Sequence, residues 1–113
     1  YTNEDVRRQL KFLKDLGSSA LSDADLAQFT NTRNAMTQIY NSAKICPFDQ
    51  QGCESDPNFT GYLTLDPEIE LKMAESRNYD ELQYLWEEWR EKSGKLMRED
   101  YKEYVRLINQ VAE

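Results

Sequence analysis

The chain has 113 residues and a mass of 13.3 kDa, with 14 Lys+Arg against 21 Asp+Glu and a formal net charge of −7, which is room for one small domain. It contains no histidine and two cysteines, which excludes Ser-His-Asp and Cys-His nucleophiles, an HExxH zinc site, a four-cysteine zinc cage and an iron–sulfur cluster within these residues. A pI near 4.7 argues against a nucleic-acid partner, which needs a basic face, and no apolar run approaches the ~20 residues of a membrane span.

The first 17 residues read as a helix. Asn3 is the N-cap, Glu4 and Asp5 favour the positive helix end, and Val6, Leu10, Leu13 and Leu16 share one face. Gly17 is the expected left-handed stop. A second helix starts at Ser22, with Leu21 as a hydrophobic staple and Asp25 three residues past the cap. Its stripe is Leu26, Phe29, Met36, Tyr40 and Ala43, with Arg33 snorkelling at the remaining slot.

Residues 46–64 break the helical period and hold turn chemistry throughout. A third helix opens at Asp66-Pro67-Glu68, with Asp66 as the cap and Pro67 at the first helical position. Asp80 is the expected cap of a fourth helix, which carries Leu82, Leu85, Trp86 and Trp89 and ends at Lys92 and Gly94. A fifth runs from about Leu96 or Met97, with Tyr101, Tyr104, Val105, Ile108, Val111 and Ala112 as its stripe. No strand alternation, repeat or low-complexity tract competes, so the expected class is all-α, built of antiparallel helices. Tyr1 in place of Met and a stripe still periodic at Glu113 are read as marks of a partial chain.

Acidity is uneven: residues 1–45 carry 6 Lys+Arg and 5 Asp+Glu, whereas residues 46–113 carry 8 and 16. The acidic clusters Glu68/Glu70, Glu87/Glu88/Glu91 and Glu99/Asp100/Glu103 have neither di-iron nor EF-hand spacing and read as solvated helix faces. Cys46 and Cys53 either close a small disulfide loop, worth about 2–3 kcal/mol by chain entropy, or are two free thiols. The sequon Asn58-Phe59-Thr60 lies in the same polar loop. Together the pair and the sequon favour a secreted or cell-surface protein. In Trp86-Glu-Glu-Trp-Arg-Glu-Lys-Ser-Gly94 the spacing alone makes Trp86 and Trp89 core and Arg90 an ion-pair partner.

The order Cys46…Cys53, Leu65-Asp66-Pro67, Ser76-Arg77, Trp86-Glu-Glu-Trp-Arg-Glu-Lys-Ser-Gly94, Tyr104-Val105 and Asn109-x-x-Ala112 resembles the angiotensin-converting enzyme family. The opening Val6-Arg-Arg-Gln-Leu-Lys-Phe-Leu-Lys-Asp-Leu-Gly17 is most similar to the insect, single-domain members. The resemblance spans nearly the whole chain. It implies secreted or membrane-anchored zinc peptidyl-dipeptidases that remove C-terminal dipeptides in a cleft between two largely helical subdomains. Residues 1–113 correspond to a partial N-terminal helical subdomain, with 46–64 as its disulfide-bearing loop.

By position, the resemblance makes Cys46–Cys53 a disulfide, puts Asp66 on the S1′ side of the cleft and gives Arg90 a buried chloride to hold. It implies Zn²⁺ and chloride as cofactors of the parent, peptides and the remainder of the parent chain as partners, and an extracellular location. One departure is the stretch from Cys53 to Leu65, which is longer than the family pattern and carries the Asn58 sequon. The other is the zinc site, no part of which is present, so the chain alone is expected to be inactive. The alternative is a secreted homologue without catalysis that acts as a binding protein, and a weaker third reading is a standalone helical module. A helical slice of a larger body is expected to expose stripe residues such as Leu13, Phe29 and Tyr40.

Overall fold

The computed structural model describes residues 3–112. Five α-helices make up the frame: α1 (Glu4–Phe12), α2 (Asp23–Ser42), α3 (Glu70–Glu75), α4 (Tyr79–Lys92) and α5 (Arg98–Ala112). The expected all-α class is what the structure shows. Its one β-type feature among the described residues is an isolated antiparallel bridge between Ile45 and Leu63. There the two residues exchange both backbone bonds, Ile45 N–H to the Leu63 carbonyl at 3.0 Å and the reverse at 2.8 Å.

Two helix starts follow the sequence reading. The Asn3 side chain accepts from the Asp5 and Val6 amides, and Ser22 Oγ accepts from the Asp25 amide at 3.1 Å while donating to its carboxylate, a reciprocal arrangement that satisfies otherwise orphaned donors. Two others depart from it. Asn78, not Asp80, caps α4, accepting from the Asp80 and Glu81 amides. Asp66 caps nothing: it is extended (φ −110°, ψ 122°) within a π-type turn over Leu65–Ile69, and its bond to Pro67 is cis. Glu68 instead reaches back to accept from the Thr64 amide at 3.2 Å and hydroxyl at 2.5 Å. These bonds hold the Glu68 carboxyl below the usual glutamate value.

The core lies around α4. Ile45, Leu63, Ile69 and Leu85 form one buried cluster, with Leu65, Tyr84 and Trp89 packed on it. A second contact joins α2 to α5, where Phe29 stacks on Tyr104 with ring centroids 5.2 Å apart and Thr32 and Leu107 are buried. Phe29 is therefore core rather than an exposed stripe residue. Leu107, absent from the expected α5 stripe, is the residue of that helix most deeply buried, while Tyr101 faces solvent. The α5 face turned toward α2 is rotated from the predicted one because the helix is apolar on two adjacent sides.

α1 buries none of its residues. It ends at Phe12, well before Gly17, and Gly17 (φ 54°) opens a short 3₁₀ turn over Gly17–Ala20. Leu13 and Leu16 fall beyond the helix and stay exposed, at 77% and 64%. With none of its residues buried, the short helix leans on its cap and local pairs, whereas tertiary burial is what normally sustains helices of this length. The radius of gyration is 21.3 Å and the extents are 69 × 32 × 22 Å, against about 13 Å for a compact domain of this length. Leu85→Ala should cost about 2–5 kcal/mol in urea unfolding of this chain, whereas Leu13→Ala should stay within about 0.5 kcal/mol. Equal effects of the two substitutions would contradict this placement of the core.

Candidate functional site

α4 turns two chemically different faces outward from the core. On one, Trp89 lies half-buried against the cluster and meets the exposed Tyr40 of α2 edge-on, centroids 5.8 Å apart and planes at 82°. The chain running into the Leu65–Ile69 turn completes this surface. An open cavity of about 400 Å³ results, lined by Tyr40, Asn41, Leu65, Asp66, Glu70 and Trp89 among others. Asp66 is exposed and, because Glu68 has taken the local donors, its carboxylate makes no hydrogen bond or ion pair among the described residues. An unpaired carboxylate beside an aromatic wall can accept from peptide N–H groups or pair with a cation.

On the other face, Trp86 is 52% exposed, not core as the spacing implied. The Arg90 guanidinium lies over its ring at 3.6 Å from the centroid, and one of its nitrogens donates to the Trp86 carbonyl at 2.9 Å. Arg90 therefore has an indole where an ion pair was the expectation from spacing. Residues four apart share a helix face, and stacking leaves the edge of the guanidinium free to donate to another group. Trp86, Arg90, Glu91, Gly94, Lys95 and Arg98 line an open groove of about 630 Å³ there. Lys95 is paired with Glu91. The two cavities share no residue, so Asp66 and Arg90 belong to different surfaces.

The cysteine loop is fastened to α4 from the side. Cys46 and Cys53 are joined by a disulfide, Cα atoms 5.8 Å apart. The Tyr84 hydroxyl donates to the Cys46 carbonyl at 3.0 Å, and its ring meets Phe48 edge-on. Lys92 reaches Glu54 at 2.6 Å. Burial, with the nearby Glu88 and Glu54 charges, pushes the Tyr84 phenol above its ordinary value, and the bond to Glu54 raises Lys92. The Tyr84–Cys46 and Lys92–Glu54 contacts carried no signal in the sequence, because each spans 38 residues. Asn58 sits beyond this loop on an exposed turn.

The corner between α3 and α4 is set by Glu81, which accepts from the Ser76 hydroxyl at 2.6 Å and from Lys72 at 3.4 Å. Those bonds, the Ser76 bond first, hold its carboxyl below the ordinary value. The sign follows from linkage: a depressed carboxyl adds stability that is complete above the unfolded value, about pH 4.3, and is lost as pH falls through the lower folded value. Ser76→Ala should therefore lower stability near neutral pH, and its difference from the unaltered chain should shrink on acidification through that window. A difference independent of pH, followed by circular dichroism, would contradict this role for Glu81.

The residues do not fit a zinc ion. The sequence has no histidine, and no group of three Cys, Asp or Glu side chains converges among the described residues. No described helix is long and apolar enough to cross a membrane.

The family model for angiotensin-converting enzyme (Peptidase M2) matches residues 1–113. Among individual proteins, the chain is 37% identical over 109 residues to an angiotensin-converting enzyme-related protein of Drosophila melanogaster, covering 96% of this chain and 16% of that protein. It is 34% identical over 113 residues to the mouse (Mus musculus) angiotensin-converting enzyme-like protein Ace3, covering 100% of the chain and 14% of that protein. It is 32% identical over 112 residues to an angiotensin-converting enzyme of Theromyzon tessulatum, covering 99% and 17%. The chain thus spans about one-sixth of the length of the relatives it matches.

Proposed function

The chain belongs to the angiotensin-converting enzyme family, and from that premise we propose that it is part of a zinc-dependent peptidyl-dipeptidase that hydrolyses C-terminal dipeptides from peptides. In this reading residues 1–113 are a partial N-terminal helical subdomain, which contributes cleft wall and an anion site but no ligand to the catalytic metal. The observation that supports it most is the cavity where Asp66, Tyr40 and Trp89 meet. A free carboxylate there suits the backbone donors of a bound peptide on the S1′ side, and the aromatic pair gives a peptide side chain an apolar wall. The wall is stiff because Trp89 is seated on the Ile45–Leu63–Ile69–Leu85 cluster.

Arg90 is the proposed chloride ligand. A planar guanidinium stacked on an indole is fixed in orientation and still has donors to offer, which suits a monovalent anion. No carboxylate competes for it among the described ion pairs. The disulfide supports an oxidising, extracellular location. Peptides and the remainder of the parent chain are the proposed partners.

Pure residues 1–113 should release no dipeptide with or without added zinc, while the parent should show chelator-sensitive release. In the parent, Arg90→Gln should raise the chloride needed for half-maximal activity about tenfold, the loss of one charge-assisted contact, without lowering bound zinc. An unchanged chloride response would remove Arg90 from this role, and dipeptide release by the 113 residues alone would overturn the assignment of the metal to other segments.

A further inference from the structure

Between the disulfide and the Ile45–Leu63 bridge the chain makes a separate turn over Asp56-Pro57-Asn58-Phe59-Thr60-Gly61. Asp56 organises it. Its carboxylate accepts from the Asn58 amide at 2.9 Å, and its carbonyl accepts from the Phe59 amide at 3.1 Å. The Asn58 backbone donor is thereby satisfied, and no hydrogen bond holds the Asn58 side chain among the described residues. Phe59 folds the other way. Its ring meets Tyr62 edge-on at 5.1 Å and lies so close to Gly61 that a Cβ there would stand 2.9 Å from it. Lys44 in turn sits 4.1 Å over the Tyr62 ring. Asn58 and Thr60 flank this half-buried phenylalanine and are both exposed.

We propose that Asn58 is an N-glycosylation site, presented by a turn in which Phe59 anchors the loop and leaves Asn58 and Thr60 open. The proposal rests on the extracellular reading above, because the donor is a lipid-linked oligosaccharide pyrophosphate of the secretory pathway. In the step, Asn58 Nδ2 forms a bond to the anomeric carbon of the first sugar. The bond from that carbon to the pyrophosphate oxygen breaks, and the lipid pyrophosphate leaves with the electron pair. The amide gives up one proton, and no oxidant or reductant is consumed. Thr60 supplies the hydroxyl that defines the acceptor triplet. Steric room favours the modification. The attachment point is an exposed loop tip away from the buried cluster, where a bulky group displaces no packed side chain.

One peptide reads both the modification and the reading it rests on. Trypsin cuts after Lys44 and Lys72 and nowhere between, so residues 45–72 carry Cys46, Cys53 and Asn58 together. The full parent protein, made in a eukaryotic cell line, is digested without reduction and that peptide is analysed by mass spectrometry. The expected peptide carries an N-glycan on Asn58 and is removed to the deglycosylated mass, with Asn58 converted to Asp, by a peptide-N-glycosidase. Thr60→Ala should abolish the glycan and Thr60→Ser should retain it, with both variants keeping the 46–53 disulfide. A bare Asn58 in a peptide whose disulfide has formed would overturn the glycosylation site and leave the extracellular reading standing. A bare Asn58 with free thiols would overturn both, and a glycan that survives Thr60→Ala would overturn the assigned triplet.

Discussion

Burial of Ile45, Leu63 and Ile69 against Leu85 ties three points of the chain, drawn from either side of the Cys46–Cys53 loop, to a single helix. Two of those residues have no regular secondary structure of their own. They are held by the two bonds of the Ile45–Leu63 bridge, and the bridge stays dry because Leu85, at 0% exposure, covers it. Burial of this kind contributes about 1.5–3 kcal/mol for each large aliphatic side chain. Each backbone bond adds about 0.5–1.5 kcal/mol, and losing one partner in a buried pair costs more than that. The cysteine loop, the Leu65–Ile69 turn and α4 therefore stand or fall together.

What α4 presents follows from this fixation. With Leu85 turned into the cluster, helical spacing carries Trp89 to the side of Tyr40 and Asp66 and leaves Trp86 with Arg90 on another side. One Trp-x-x-Trp-Arg element thus serves two surfaces, an aromatic wall by an unpaired carboxylate and a stacked guanidinium. The Tyr84 hydroxyl and the Lys92–Glu54 pair fasten the loop from the same helix. α1 and the outward side of α5 share in none of this. They keep Phe12 and Tyr101 in solvent.

Much of this was legible residue by residue. Asn3 and Ser22 announced their helices because a short polar side chain followed by acidic first-turn residues has few other uses. The family resemblance was legible from the Trp86–Gly94 element and its order relative to the cysteines, and the family model covers the same residues. What was illegible was decided by competition between neighbours. Asp66 and Asp80 are good caps in isolation, but Glu68 bonded back to Thr64 in one case and Asn78 preceded Asp80 in the other. The α5 stripe was misplaced because Ile108 is as apolar as Leu107 and Tyr101 carries a large apolar ring, and only contact with α2 chooses between the sides. Trp86 was misjudged for a similar reason: an indole is read as core until Arg90 supplies a partner that remains wet. The bridge and the Tyr84 clamp are long-range, and no local pattern encodes them.

The most direct measurement is amide hydrogen exchange, residue by residue, on the 113-residue chain. If the α4-centred cluster is what holds the molecule, the Ile45 and Leu63 amides should be among the slowest to exchange, opening only with global unfolding. The Glu4–Phe12 amides should exchange orders of magnitude faster. Protection of that first helix equal to that of Ile45 and Leu63, or rapid exchange at the bridge itself, would contradict the account.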